Sequence, residues 1–515
     1  MKTNNIDNIV EFRNVSMQFP GVLANDDVSL GIKSGEIFAL VGENGAGKST
    51  LMNILYGINN PTSGEVYIKG KKVDNFSPTE AIENGIGMVH QHFMLVPSFT
   101  VAENIVLSKE PRKAGFIYNQ SKSIEITENL VKEYGLQVNP RDIVSETSVG
   151  IQQRVEILKT LYRGADVLIL DEPTAVLTPS ETKELFDVIR RVVKELGMTV
   201  IIITHKLYEV MAISDRVGVM RQGKLVGVNE TKDVDEKKLA SMMVGREVLL
   251  EKLEKTNNFG KTKIKVDNLY VADNRGLPSV NGVNFEIREG EILGIAAIEG
   301  NGQSELVEAI TGLRHIESGQ VYIEDKDATG LDARQIRSTG VAHIPEDRIS
   351  TGVSGPSSIL ENLIIGKERK REFSVKGIHL RQSSIRRYAD DLFKKFDIRG
   401  AGVDTRVDSL SGGNMQKVVV AREFSYDTPI LVISQPTRGV DIGAMEFIHN
   451  KIVEKRNNGA AILLVSADLD EVFRLSDRII TMYEGRITGE FNSGEISKME
   501  IGYYMTGDRR EGNDE

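Results

Sequence analysis

The sequence predicts an α/β protein made of two tandem domains, each built on a mainly parallel sheet. Three observations predict it. Apolar runs of four to six residues ending in Gly or Asp alternate with longer stretches of helical period, a pattern that puts strands into a sheet covered by helices on both faces. The second half of the chain echoes the first. The 515 residues are several times the roughly 100 to 200 of an ordinary domain, enough for more than one core.

Composition narrows the function classes. Hydrophobic residues at 40% and charged residues at 27%, with 48 Gly and 13 Pro, describe a folded globular chain, not a disordered or fibrous one. The 74 acidic against 64 basic side chains give a net charge of -10, which disfavours a general grip on nucleic acid or anionic lipid. With no Cys at all, disulfide frameworks, thiolate metal sites and cysteine nucleophiles are excluded. Met1 to Val10 is polar with a single lysine, unlike a secretion signal. The longest apolar stretches, such as Val200 to Ile203 and Ala460 to Val465, fall far short of the ~20 residues that cross a bilayer as a helix, so any membrane role is expected to be peripheral.

The elements follow in order. Strands are expected at Ile37 to Val41, Val167 to Leu170 and Thr199 to Ile203, and helices at Lys48 to Leu55, Gln152 to Leu161 and Ser180 to Leu196. The repeat is explicit: GINNPTSGEVYIK from Gly57 returns 255 residues later as GLRHIESGQVYIE from Gly312. Gly47-Lys48-Ser49 aligns in the same way with Gly302-Gln303-Ser304, and SDRVGVMRQGK from Ser214 matches SDRIITMYEGR from Ser476 at a spacing of 262, so an insertion lies in a loop between. Such a period is far longer than that of a solenoid, and each copy should be a domain. The expected division is a first domain over 1–250, a connecting segment over 251–263 (EKLEKTNNFGKTK), a second domain over 264–506 and a tail over 507–515. The tail and the charged stretch Gly366 to Glu372 are read as solvated surface.

Chemistry enters at Gly42-Glu43-Asn44-Gly45-Ala46-Gly47-Lys48-Ser49, which fits G-x-x-x-x-G-K-S between a strand and a helix. Glycines let the backbone curl so that N–H groups and a helix N-terminus face phosphates, Lys48 adds a positive charge, and Ser49 offers a hydroxyl to Mg²⁺. Val167 to Leu170 ends in Asp171 and Glu172. Asp171 suits a hydrated Mg²⁺, and Glu172, one residue on, points elsewhere and suits the attacking water.

Three further features complete a family pattern: Gln91 after Ile86 to His90, a short signature at Thr147 to Ile151, and His205 after Val200 to Thr204. The second half carries Leu410-Ser411-Gly412-Gly413-Asn414, close to L-S-G-G-Q, with a helix expected from Met415. Nearly the whole chain resembles a pair of ATP-binding cassettes of transporters. Glu172 to Thr178 resembles the bacterial importers of simple sugars and nucleosides, and Gln91 to Pro97 with Gln435 to Asp441 is most similar to their nucleoside-type branch. The resemblance implies, for each half, a mainly parallel sheet core, an antiparallel β portion and a helical subdomain. It implies that ATP is bound by Phe19, stacked on adenine, by the loop Gly42 to Thr50, and by Ser411, Gly412, Gly413 and Asn414. Mg²⁺ would be held by Ser49, Gln91 and Asp171. Catalysis would fall to Glu172, His205, Gln91 and Lys48, with water attacking the γ-phosphate in line.

In that family two cassettes pair head to tail, each nucleotide lying between the phosphate loop of one and the signature of the other, so intramolecular pairing is implied. The first half's motifs with Leu410 to Asn414 then make one complete site. The other is worn: Gln303 replaces the lysine, Ala297 the first glycine, Ser434 and Gln435 the Asp-Glu pair, Ala467 the histidine and Glu346 the glutamine, opposite Thr147-Ser148-Val149-Gly150-Ile151. It is expected to be nearly inert, since a lost general base alone removes roughly 10²- to 10⁴-fold of rate. The implied partners are two membrane permease subunits and a solute-binding lipoprotein, with no nucleic acid, and the implied place is the cytoplasmic face of the cell membrane. The alternative is a soluble twin-cassette ATPase acting on ribosomes or nucleic acid; such proteins join their cassettes by a long charged helix and keep both sites.

Overall fold

The chain divides into two units, Met1–Leu249 and Leu250–Glu515. The computed structural model describes residues 8–19, 22–43, 45–73, 77–90, 93–113, 115–147, 149–174, 177–245, 255, 259–426, 428–440 and 442–507. Most of the segment expected to connect the domains, and the tail beyond Gly507, lie outside the described residues.

In the first unit β1 (Asn8–Phe19) and β2 (Val22–Lys33) form a hairpin that extends through β4 (Ser63–Ile68) and β5 (Lys71–Val73) into an antiparallel sheet of order β2-β1-β4-β5. The second sheet contains β3 (Ile37–Gly42), β6 (Ile86–Val89), β9 (Val167–Asp171), β10 (Thr199–Thr204), β11 (Arg216–Arg221) and β12 (Lys224–Glu230). Its order is β12-β11-β3-β10-β9-β6, parallel throughout except where β12 closes a hairpin on β11. A small ladder joins β7 (Arg112–Lys113) to β8 (Ile117–Tyr118). The helices are α1 (Lys48–Leu55), α2 (Pro78–Glu83), α3 (Val101–Val106), α4 (Gln120–Tyr134), α5 (Val149–Tyr162), α6 (Pro179–Leu196), α7 (Leu207–Ile213) and α8 (Glu236–Val244).

The continuous apolar runs are explained by two cores on opposite faces of one sheet. Successive side chains of a strand point to opposite faces. Phe38, Leu40, Val167, Ile169, Ile201 and Ile203 enter the core shared with the antiparallel sheet and α1. Their neighbours Ile37, Leu168, Leu170, Val200 and Ile202 enter the core under α3 to α6. With both faces covered, neither parity can be polar. Helix α6 shows the complementary rule: Thr178 and Glu181 make a reciprocal capping box, Pro179 opens the helix and Gly197 ends it in the left-handed conformation. Its buried face is Thr182, Leu185, Phe186, Ile189 and Val192, a helical stripe.

The second unit repeats this plan. Thr262–Ala272, Pro278–Arg288, Ser318–Ile323 and Lys326–Asp327 form its antiparallel sheet. Ile292–Ala297 lies between Ala461–Ser466 and Arg478–Tyr483, as β3 lies between β10 and β11. The first strand starts at Thr262, inside the stretch read as a connector, because its residues already pair with the strand ending at Arg288.

Two sequence expectations are corrected. The helix expected from Met415 spans Gly412–Phe424, with Ser411 as its N-cap, so both glycines of the signature lie in its first turn. Lys367, within the charged stretch read as solvated, is buried. Its ammonium donates to the Tyr388 hydroxyl, the Ser425 carbonyl and the Ser425 hydroxyl, and it lies 4.1 Å from the ring centre of Tyr426. Its neighbours Glu368 to Glu372 are exposed. Burial pushes the Lys367 ammonium down to about 8, helped by the charges of Lys370 and Arg337 and opposed by those of Glu423 and Glu372.

Candidate active site

Strand β3 is central and wholly buried, so the turn that follows it is fixed at the carboxyl edge of the parallel sheet, where such sheets bind ligands. Gly45 and Gly47 adopt φ of 80° and 97°, which L side chains resist. A Cβ on Gly47 would also lie 2.3 Å from the Ala24 carbonyl oxygen and 2.7 Å from Asn25 Nδ2. Gly47 caps α1, so the loop delivers the N–H groups of that helix to whatever the turn encloses. Asn44 lies outside the described residues. Ala46 is buried, and its N–H donates to the Glu43 carbonyl at 3.0 Å. Thr50 sits half-buried in the first turn of α1.

Lys48 is buried, its ammonium donating to the carbonyls of Gly42 at 2.7 Å and Glu43 at 3.0 Å. Burial lowers its pKa, opposed by the charges of Glu172, Asp171 and Glu43. The Ser49 hydroxyl hydrogen-bonds to Asp171, whose carboxyl is raised by burial and by the neighbouring Glu172 charge. A desolvated carboxylate beside a hydroxyl and a second carboxylate gains from a cation, so these residues fit Mg²⁺. Among the described residues no group of three or more His, Cys, Asp or Glu forms a metal cage, and Mg²⁺ held with substrate phosphates needs none. Gln91, expected to join this set, lies outside the described residues.

Parallel pairing sets Asp171 opposite Ile203, so the ends of β9 and β10 deliver Glu172 and His205 side by side. Glu172 takes a left-handed backbone, φ 49°, while its N–H stays in the ladder on the Ile203 carbonyl at 2.9 Å. That turn brings its carboxylate to His205 Nδ1 at 2.8 Å. The carboxylate can only accept, so the ring donates and keeps Nε2 for a further partner. Burial alone would raise the Glu172 pKa; the His205 hydrogen bond, with the charges of His205, Lys48 and Lys206, outweighs it and holds the carboxyl below its ordinary value. Lys48, Ser49, Asp171, Glu172 and His205 thus form one cluster. Phe19 ends β1 and is 38% exposed, on the hairpin whose β2 carries Ala24 and Asn25 against the loop.

Three supporting residues escaped the sequence reading. Asn25, buried in β2, donates to the Gly47 carbonyl at 3.0 Å. Glu209 is buried in α7 and accepts from the hydroxyls of Thr174 and Thr204, tying the turn after Glu172 to the end of β10. Gln153 of α5 donates to the Pro173 carbonyl. Two of them left a signal in the repeat: Glu471 stands at the place matching Glu209 and accepts from Thr437 at 2.7 Å, and Gln416, likewise buried, stands at the place matching Gln153.

The second unit keeps the backbone and changes the chemistry. Gly300 and Gly302 have φ of 93° and 96°, and Gln435 has φ 47°, matching Glu172. Gln303 is buried and donates to the Ile298 carbonyl at 3.0 Å. Gln435 Oε1 accepts from the Ala467 N–H at 3.2 Å where Glu172 meets an imidazole. Glu346 accepts from the Ser304 hydroxyl at 3.0 Å and from Arg438 at 2.8 Å. At the signature turn, Ser411 Oγ accepts from the Asn414 N–H at 3.4 Å and from its side-chain amide at 3.0 Å, while Asn414 Oδ1 accepts from the Arg399 N–H at 2.8 Å. In the first unit's signature Ser148 lies outside the described residues, and Gly150 is buried where a Cβ would meet Glu181 at 2.3 Å.

Comparison with known proteins places this geometry. The family model described as ABC transporter matches twice, over residues 25–175 and 280–438. The chain is 45% identical to the guanosine import ATP-binding protein NupO of Bacillus subtilis, over 97% of each chain. It is 44% identical to the nucleoside import ATP-binding protein NupA of Lactococcus lactis, over 97% of this chain and 98% of that one. The glucose import ATP-binding protein TsgD13 of Haloferax volcanii is 42% identical, over 97% and 96%. Among solved structures, the archaeal ribosome recycling factor aABCE1 in complex with the stalk protein aP1 aligns over 93% of this chain and 90% of that one, with a TM-score of 0.59 and 20% identity, a likeness of fold alone.

Proposed function

The chain belongs to the ABC transporter family, and from that premise we propose that it is the ATP-hydrolysing subunit that powers import of a nucleoside through partner membrane permeases. The observation that carries the reading is the pair of relatives at 45% and 44% identity over 97% of this chain, named for guanosine and nucleoside import. A simple sugar is the second reading, favoured by the glucose importer subunit at 42%. The ribosome-directed alternative has only the fold likeness at 20% identity behind it.

Turnover belongs to the first half. Glu172 orients water for in-line attack on the γ-phosphate and accepts its proton. His205 fixes Glu172 through Nδ1 and offers Nε2 to a γ-phosphate oxygen. Lys48 offsets the charge that gathers on the transferred group. Mg²⁺, when bound by Ser49 and Asp171 with Gln91, neutralises charge on the β- and γ-phosphates. Phe19 stacks on the adenine, and Ser411, Gly412, Gly413 and Asn414 contact the terminal phosphate. The second half binds nucleotide statically; supporting this, Gln435 hydrogen-bonds a backbone N–H at the position of the base.

Permeases are proposed to dock beside the segment around Gln91. Supporting this, a cavity of about 100 Å³ opens between Tyr56, Ile86, His90, Met94, Lys159 and Arg163, and Met94 is 62% exposed. Among the described residues no helix is long and apolar enough to cross a membrane, in keeping with a peripheral subunit at the cytoplasmic face. The test uses the tagged chain as bait in detergent-solubilised membranes of its native cells. Recovery of two polytopic membrane proteins with a solute-binding lipoprotein that binds nucleosides supports the proposal. Ribosomal proteins without permeases would overturn it.

A further inference from the structure

The second unit keeps the shape of a phosphate loop and loses its lysine. Its helix Gln303–Ile310 starts at Gly302 with φ 96°, as α1 starts at Gly47 with φ 97°. The loop N–H donors are therefore laid out alike. Gln303 folds back on the Ile298 carbonyl as Lys48 does on that of Glu43, brings no charge, and leaves its Oε1 buried without a partner among the described residues. A polyphosphate needs a full positive charge as well as peptide dipoles, and Gln303 cannot give it.

Arg438 stands at this loop. Its guanidinium donates to Glu346 Oε1 at 2.8 Å and lies 3.7 Å from Glu299, a residue of the loop itself. The other oxygen of Glu346 accepts from Ser304 in the first turn of the helix, at 3.0 Å. The guanidinium is thus anchored on both sides of the cradle, and its side chain is 54% exposed. We propose that Arg438 is the phosphate-binding cation of the second half, which takes a nucleoside di- or triphosphate with this guanidinium in place of the lysine charge and without a need for a divalent cation. The inference rests on the reading that this half binds nucleotide statically.

Three features of the arrangement fit that role. A guanidinium presents a planar fork of donors to two phosphate oxygens. Being half exposed, it swings from the carboxylates to the phosphate with little packing to undo. Glu346 competes with the phosphate for Arg438 and repels it as well, so it sets the affinity low. Removing either member of a merely structural ion pair would affect binding alike; here the two removals act in opposite directions.

The experiment uses the full-length chain carrying Lys48→Ala, which takes the cation from the first loop, and measures radiolabelled ADP and ATP bound per chain by equilibrium dialysis, with Mg²⁺ and with EDTA. One nucleotide per chain is expected to persist in EDTA. Adding Arg438→Ala weakens it by at least about tenfold, the scale of one charge-assisted phosphate contact, and adding Glu346→Gln tightens it. One nucleotide per chain unmoved by Arg438→Ala overturns the role of Arg438 and leaves the static site standing. So does weakening by Glu346→Gln with loss in EDTA, which makes Glu346 a metal ligand. Absence of any nucleotide in the Lys48→Ala chain, folded by circular dichroism, removes the reading on which the inference rests.

Discussion

Replacing Glu172 by Gln exchanges one oxygen for a nitrogen and removes a negative charge, and the protein itself supplies the control for its fold. Gln435 occupies the same turn of the second unit with φ 47° against 49°, its amide hydrogen-bonded to a backbone N–H at 3.2 Å. The backbone therefore accepts the amide, and the left-handed conformation, worth ~1–2 kcal/mol of strain at either residue, cancels in the comparison. What is lost is the acceptor for the water's proton. Loss of a general base lowers the rate roughly 10²- to 10⁴-fold, or about 2.7 to 5.4 kcal/mol at ~1.36 kcal/mol per decade. The net charge of the site also becomes less negative, so ATP is held at least as tightly. The assay is phosphate release by the purified chain at saturating ATP, beside ATP binding by equilibrium dialysis. Loss of turnover with retained binding is the expected result. A variant keeping more than about a tenth of the rate would refute Glu172 as the base, and a comparable loss of turnover in Gln435→Ala would refute the inert second half.

Gly47→Ala introduces a Cβ 2.3 Å from the Ala24 carbonyl at a φ of 97°; the unfolding midpoint is expected to fall and ATP binding to vanish, and an unchanged midpoint in thermal scans would contradict the glycine argument. Phe19→Ala, at a residue already 38% exposed, should leave stability nearly unchanged while weakening ATP binding by ~1–3 kcal/mol, the scale of base stacking; unaltered affinity would detach Phe19 from the adenine. Lys367 has a folded pKa of about 8 against 10.5 as a free side chain. Between these values the unfolded chain binds more protons, so stability rises with pH. The unfolding free energy of wild type relative to Lys367→Met should move in favour of wild type from pH 8 to pH 10, measured by urea denaturation; a flat or reversed difference would place this ammonium in water.

How much was legible follows from where the physical causes lie along the chain. Strands β3, β9 and β10 were readable because a strand buried on both faces is apolar at every position. The phosphate loop was readable because its glycines, its lysine and the helix after it are consecutive, and the end of β10 lined up with Glu172 because parallel sheets follow from alternating elements. The start of the helix at Gly412 was not readable, since two glycines carry no helical propensity and the Ser411 cap supplies what they lack.

By itself, then, the sequence determined the duplication, the α/β class, and the chemical inventory of each half, since all of these are written in residues close together or repeated at a fixed spacing. Tertiary structure alone decided which side chains meet. Asn25 on the Gly47 carbonyl, Gln153 on Pro173, Glu209 between Thr174 and Thr204, Lys367 under Tyr426, and Arg438 between Glu299 and Glu346 are pairings across elements. Their partners are chosen by strand order and register, which no local pattern encodes. The same carboxylate, amide or ammonium is solvated or functional according to what the sheet sets opposite it.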